Sequence, residues 1–239
     1  ALLFSNKVVL PVPFEVPDEK AVVIFQDIKP LVIFTDGTKS YENSVDFYRF
    51  KKATSNKTFS PPKYCDDSRF IIIMTSGTTG NPKGCCLSDN AFLGRVYDLY
   101  EKFGFEENDN FLFSSNYSFD VSYTQILTWL FGKGSITIQK KGDDFRSIPD
   151  YVKAFKVTHL AMSPAVLKYV YSPLVEKTTS IKDVFVAGEK FPTIVAEKSI
   201  EQHPYFNLWN MYGPTEFSIY ATFFLSLIHI SEPTRPISI

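Results

Sequence analysis

Apolar positions along this chain gather in short runs divided by polar, turn-forming stretches. Eight runs read as β-rich: residues 21–25, 31–35, 70–74, 111–115, 135–139, 157–162, 183–188 and 206–210. Several are unbroken, such as FIIIM at 70–74, the pattern of a strand covered on both faces. IYATFF at 219–224 adds a further strand. Helical spacing lies between them. Ser88–Phe103 places Phe92, Val96, Leu99, Tyr100 and Phe103 on one face, with Ser88 or Asp89 to cap its start and Gly104 to end it. Two more helices are expected over Val121–Phe131 and Thr193–His203.

Strands alternating with helices predict an α/β fold with a mainly parallel sheet. Residues 36–68 break the pattern. They are polar, weakly periodic and contain Pro61-Pro62, so they read as a surface excursion between two α/β halves, residues 1–60 and 69–224. There is no internal repeat and no extended low-complexity segment.

Composition narrows the function classes. Of 239 residues, 44% are hydrophobic and 21% charged, which is globular and large enough for a sizeable core. A net charge of −1, without a basic stripe, predicts neither a nucleic-acid nor a membrane partner. The three cysteines, Cys65, Cys85 and Cys86, lack any zinc-like spacing and read as reduced thiols of a cytoplasmic protein. The amino terminus fits neither a signal peptide nor a membrane span. His159 and His203 have no partner pattern and read as packing or surface residues.

The candidate chemistry begins at TSGTTGNPKG, Thr75–Gly84, directly after a buried strand. It fails the Walker A pattern, because Lys83 is followed by Gly84 rather than Ser or Thr. The residue set still suits a polyphosphate. Gly77 and Gly80 permit close backbone approach, Thr75, Ser76, Thr78 and Thr79 carry hydroxyls, and Lys83 carries charge. A plain glycine-rich turn is the alternative. Further on, Asn210–Glu216 reads NMYGPTE. Tyr212 offers a face for a purine, Gly213 and Pro214 a turn, Thr215 a phosphate contact, and Glu216 an oxygen ligand for Mg²⁺.

These two motifs, in this order, resemble those of the adenylate-forming superfamily, which includes acyl-CoA ligases, luciferases and the adenylation domains of nonribosomal peptide synthetases. The resemblance implies ATP-dependent activation of a carboxylate as its adenylate, release of pyrophosphate, and transfer of the acyl group to a thiol. It implies catalytic roles for Lys83, Thr215 and Glu216, with Glu216 on the metal. It implies nucleotide contacts from Thr75–Gly80, Lys83, Gly188, Glu189, Asn210, Met211, Tyr212, Gly213 and Thr215. The Gly188-Glu189 pair matches a small-Gly-Glu strand end.

FDVS at Phe119–Ser122 resembles members that activate amino acids. Asp120 would pair with the substrate ammonium, or else simply cap the following helix. Phe119 would lie near the reacting carboxylate. The acyl pocket implied by the resemblance is Asp120, Val121, Thr124, Ala161, Phe185, Ala187, Met211, Ile219 and Tyr220. This set favours a hydrophobic or aromatic side chain. The expected cofactors are ATP and Mg²⁺, with phosphopantetheine on a carrier-protein domain as partner. An acyl- or aryl-CoA ligase is the rival within the class. A non-catalytic nucleotide-binding piece is the rival outside it.

The resemblance covers about residues 8–224, the middle of the large N-terminal domain. The stretch 10–36 resembles a Val-Pro turn, a Pro-Asp helix start and a strand, and 161–170 resembles a strand, Ser-Pro turn and helix. The expected ribose-gripping acid, hinge and small lysine-bearing C-terminal domain do not follow in this chain, so the fragment alone is expected to be inactive. Cys85 stands where valine is common and Asp89 where histidine is common. Residues 225–239 do not resemble the family's continuation and read as a non-native tail that does not pack.

Overall fold

The computed structural model describes residues 7–48, 68–76, 82–132, 134–191 and 205–225. A central sheet of six strands organises the larger part. They are β5 (Asn110–Phe113), β6 (Ser135–Ile138), β7 (His159–Met162), β8 (Asp183–Val186), β9 (Asn207–Tyr212) and β10 (Thr222–Leu225), in spatial order β10-β9-β8-β7-β5-β6. All neighbours run parallel except β10, which is antiparallel to β9.

Burial along β7 and β8 is continuous, as the unbroken apolar runs predict for a sheet covered on both faces. Strand alternation sorts their side chains. Val184 and Val186 of β8 enter one core, with Leu208 of β9. That core is closed by α4 (Ile148–Phe155) and α5 (Pro164–Lys177) through Val152, Leu167, Val170 and Leu174. Phe185 enters the opposite core with Phe111 and Met211. There it meets Phe92, Val96 and Leu99 of α2 (Asp89–Phe103) and Leu127 of α3 (Val121–Gly132). The same core takes Ile71 and Ile73 from a hairpin formed by β3 (Arg69–Ser76) and antiparallel β4 (Pro82–Ser88).

Local rules explain the helix ends. Ser88 caps α2, its side chain accepting from the Ala91 N–H, and Gly104 closes it in the left-handed conformation. Asp89 instead bonds its own neighbour's Asn90 N–H and the Ser68 hydroxyl. Ser163 caps α5 in the same way, with Pro164 in its first turn.

Three expectations need correction. AVVIF at 21–25, read as β-rich, lies inside helix α1 (Asp18–Ile28). Pro17 precedes it, Asp18 and Glu19 complement the helix dipole, and only Ala21 and Ile24 are buried, a helical spacing. The Pro-Asp helix start suggested by family resemblance is therefore the reading that holds. Within the presumed excursion 36–68, Ser44–Asp46 forms β2, paired parallel with β1 (Ile33–Thr35). Its lack of an apolar run hid it. Strand β4 was missed because PKGCCLS is too polar and glycine-bearing to read as a strand, yet it partners β3 from Ser76 to Arg69. The helix expected over Thr193–His203, the Pro61-Pro62 stretch, Cys65 and residues 226–239 lie outside the described residues, while Leu225 ends β10.

Candidate active site

The predicted site segments converge at one end of the sheet. The segment 114–120 leaves the carboxyl end of β5, Ala187–Glu189 leaves β8, and Gly213–Glu216 leaves β9. This is where open parallel α/β sheets bind their ligands.

The hairpin brings the first motif. Thr75 of β3 faces Lys83 of β4, and the Thr75 hydroxyl donates to the Lys83 carbonyl at 3.3 Å. Ser76 pairs with Pro82. Gly77, Thr78, Thr79 and Gly80 lie outside the described residues. Lys83 is exposed at the hairpin mouth.

The second motif is held by a crowded turn. A Cβ on Gly213 would sit 2.2 Å from the Ile219 carbonyl oxygen and 2.7 Å from the Ala221 nitrogen, so only glycine fits. Thr215–Phe217 forms a short 3-10 turn. Ser218 and Ile219 then both take positive φ, +58° and +83°. Such a conformation is uncommon for a β-branched residue, and buried packing holds it. The reversal turns Ile219 and Tyr220 inward and leaves Tyr212 and Glu216 exposed. Gly188 also takes positive φ, +92°, leaving Glu189 exposed beside it. Val186 and Asn210 are paired across β8 and β9, so these two nucleotide segments are neighbours.

Asp120 joins the motifs. The Val121 N–H donates to its carboxylate at 2.7 Å, and the Thr215 hydroxyl lies close enough to favour its ionised form. Burial pushes the Asp120 carboxyl above its ordinary range, and the nearby Glu216 charge adds to this, against the opposing effects of Thr215 and the backbone N–H groups. Cys85 of β4 feels Glu216 and Asp120 too. Its thiol is pushed up, first by burial and then by the Glu216 charge. Hairpin, Asp120 and YGPTE turn thus face one another.

Next to Thr124 and Tyr220, close to Asp120, lies a narrow apolar cleft with room for about one water molecule. Four predicted pocket residues line it: Thr124, Phe185, Met211 and Tyr220. Ala161 and Ile219 are buried in the core around it, with Val121 and Ala187 packed against that core. Phe119, in contrast, is 61% exposed. Sequence reading missed Leu99, Phe103, Phe105 and Phe111, which complete the wall. Phe103 lies 4.8 Å edge-on to Phe185. The helical face of α2 signalled burial for Leu99 and Phe103 but not which cavity they border. Gln125 was missed as well. Fully buried, it donates to the Ser115 hydroxyl at 3.0 Å and so pins α3 to the exit of β5.

The opposite end of the sheet carries a buried polar cluster. His159, which has no partner pattern in the sequence and reads as a packing or surface residue, is buried as a packing residue and is also paired. Its Nε2 lies 3.3 Å from Asp183 and its Nδ1 2.7 Å from the Thr158 hydroxyl. Asp183 also accepts from Trp209 Nε1 at 2.7 Å and Asn207 at 3.0 Å. Burial pushes Asp183 up, but these bonds prevail and its carboxyl sits below the ordinary range. His203 lies outside the described residues.

The AMP-binding enzyme family model matches residues 1–238. This chain belongs to the AMP-binding enzyme family. It is 34% identical over 157 residues to a linear gramicidin synthase protein of Brevibacillus parabrevis, covering 63% of this chain and 3% of that protein. Tyrocidine synthase 3 of the same organism is 28% identical over 228 residues, 90% of this chain and 3% of its own. Polyketide synthase PksN of Bacillus subtilis (strain 168) is 33% identical over 161 residues, 64% of this chain and 3% of that one. The chain thus spans about 3% of the length of these relatives. The fold matches the N-terminal subdomain of Klebsiella oxytoca NpsA with 3-hydroxybenzoyl-AMSN, at TM-score 0.82 and 20% identity, over 94% of this chain and 58% of that one. It equally matches O-succinylbenzoate coenzyme A synthetase (MenE) from Bacillus subtilis with AMP, at TM-score 0.81 and 15% identity, over 96% and 60%. The α/β fold is that of the N-terminal subdomain of adenylate-forming enzymes. Among the described residues, no helix is long and apolar enough to cross a membrane.

Proposed function

We propose that this chain is the amine-selecting and nucleotide-binding part of an amino-acid adenylation domain. The observation that carries this reading is the convergence of Asp120 with Thr215 and Glu216 beside an apolar cleft. Asp120 is half-buried, and a carboxylate withdrawn from water costs free energy unless a cation pairs with it. A substrate ammonium supplies that cation. A fatty-acid substrate does not.

In this reading the substrate carboxylate attacks the α-phosphorus of ATP, and pyrophosphate leaves. No protein nucleophile is needed, so positioning and charge stabilisation carry the rate. Asp120 anchors the ammonium and the cleft takes the side chain, which together orient the carboxylate near exposed Phe119. Tyr212 presents its ring to the adenine, with Gly188, Glu189 and Asn210 on the adjoining strand ends. Thr75 to Thr79 and Lys83 hold the departing phosphates, and Thr215 bonds a phosphate oxygen.

The donor set fits Mg²⁺. Glu216 is an exposed carboxylate next to the Thr215 hydroxyl, and among the described residues no three His, Cys, Asp or Glu side chains form a closed cage. One carboxylate plus substrate phosphates is the usual Mg²⁺ arrangement. When bound, the ion neutralises developing phosphate charge. The thiol of a carrier-protein phosphopantetheine then attacks the acyl carbon of the adenylate, forming the thioester and releasing AMP. Residues 1–60 would close one α/β half of the parent domain and 69–224 form the other.

Exchange of labelled pyrophosphate into ATP, driven by an amino acid in the full-length protein, tests the reading. A coenzyme A ligase would instead accept the corresponding acid without its amino group.

A further inference from the structure

The loop that carries Asp120 is tied to a distant part of the chain by one side chain. The Tyr117 hydroxyl donates to the Val12 carbonyl at 2.8 Å and accepts from the Phe14 N–H at 3.1 Å. The strap it grips is itself fixed. Val9 pairs with β3: its N–H donates to Phe70 at 3.1 Å and its carbonyl accepts from Ile72 at 2.8 Å. The Phe14 ring lies under Lys141 Nζ at 4.3 Å and near Lys39 Nζ at 5.0 Å. Lys39 also donates to the Phe14 and Val16 carbonyls, each at 2.9 Å, and pairs with Asp18 at 3.0 Å. One short segment thus touches both the strand entering the phosphate loop and the loop bearing Asp120.

Between Tyr117 and Asp120 the backbone is held by local hydrogen bonds. The Asn116 side chain accepts from Ser118 N–H at 3.0 Å, and its carbonyl accepts from Phe119 N–H at 3.0 Å. The Phe119 carbonyl accepts the Ser122 hydroxyl at 2.7 Å. A shift at Tyr117 therefore reaches Asp120 rather than being absorbed.

We propose that Tyr117 is a positioning residue for the adenylation proposed above, setting where Asp120 meets the substrate amine through its double hydrogen bond to the Val12–Phe14 strap. The cleft residues set side-chain fit, whereas Tyr117 sets the height of the carboxylate against a substrate held at the other end by the nucleotide. A merely structural tie would lower stability and every kinetic constant together. A positioning tie changes the amine term selectively.

The test uses the full-length protein with Tyr117→Phe, which keeps the ring and removes both hydroxyl bonds. Two net hydrogen bonds, half exposed, predict a rise of about tenfold in the KM for the amino acid. The KM for ATP and kcat stay within about twofold, each hydrogen bond being modest in net worth. Lys141→Met, which strips the cation from over Phe14 and leaves Tyr117 intact, moves the same constant in the same direction by about two- to threefold. Amide hydrogen exchange is followed in parallel and speeds up over residues 116–121 in Tyr117→Phe.

An unchanged amino-acid KM overturns the proposal, as does a parallel fall in every constant with the melting temperature. If Tyr117→Phe does not fold, Lys141→Met decides by the same criterion. Wild-type protein that exchanges pyrophosphate with no amino acid overturns the adenylation reading instead, and amide exchange at 116–121 still reports the tie.

Discussion

The Thr215 hydroxyl sits beside the Asp120 carboxylate and favours its ionised form, bringing the turn after β9 against the loop after β5. The amine-pairing group and the phosphate-handling group are in contact before any substrate arrives. Asp120→Asn keeps the shape and the Thr215 contact but removes the charge. It should raise the KM for an amino acid by about a hundredfold or more, the worth of a charge-assisted bond in a buried site. The same variant should leave any use of the desamino acid unchanged or improved. Steady-state pyrophosphate exchange measures both.

Burial and the Glu216 charge hold the Asp120 carboxyl above its ordinary 3.8. Between that value and the raised one, the folded state carries more protons than the unfolded state, so this group's contribution to stability falls as pH rises. Amine binding has the opposite sign, because only the ionised form pairs with ammonium. The amino-acid KM should therefore fall as pH rises through the Asp120 titration. Asp120→Asn should flatten that limb of the profile.

Gly213 is enclosed by the Ile219 carbonyl at 2.2 Å from any added Cβ. Gly213→Ala should cost about 2 kcal/mol or more by forcing the turn outward. Because that turn carries Thr215 and Glu216, the KM for ATP should rise as well. Denaturant melts and nucleotide titration read the two effects.

Tyr220 puts a fully enclosed hydroxyl against Thr124 and Asp120, where among the described residues it finds no hydrogen bond of good geometry. Thr124 spends its own proton on the Val121 carbonyl at 2.7 Å. Tyr220→Phe should leave stability unchanged or raise it by up to about 1 kcal/mol. It should also shift selectivity toward wholly apolar side chains. A loss of stability in the melting curve would contradict this.

At the far end of the sheet, Asp183 ties His159, Trp209 and Asn207 together. Asp183→Ala leaves buried His159 and half-buried Trp209 without their carboxylate partner and should cost about 3 kcal/mol. Its carboxyl is held below 3.8, so the folded state binds fewer protons than the unfolded one. The stability it contributes is complete above that pH and is lost as pH falls through the lower folded value. Acid unfolding of the wild type should be steeper there than in the variant.

The parts legible in the sequence were those written in local chemistry. VTHLAM and DVFVAG announced buried strands because both sheet faces are covered, FIIIM announced a strand in a hairpin whose Ile71 and Ile73 are buried while Ile72 and Met74 are half-buried, and Ser88 with Gly104 framed α2. AVVIF was read as β-rich from its apolar run, though Pro17, Asp18 and Glu19 made it a helix start. Strand β4 was hidden because its partner, not its composition, makes it a strand. The motifs named Asp120, Thr215 and Glu216, but their mutual contact is tertiary and leaves no trace in spacing. The same holds for Phe105 and Phe111 in the cleft wall and for Asp183 opposite His159.

The most direct test of the account is amino-acid-dependent exchange of labelled pyrophosphate into ATP by the full-length protein, run with amino acids and their desamino counterparts side by side. The account predicts exchange with an amino acid of hydrophobic or aromatic side chain, and at least about a hundredfold less with the matching desamino acid. Equal exchange with both acids, or exchange with the desamino acid alone, would contradict it.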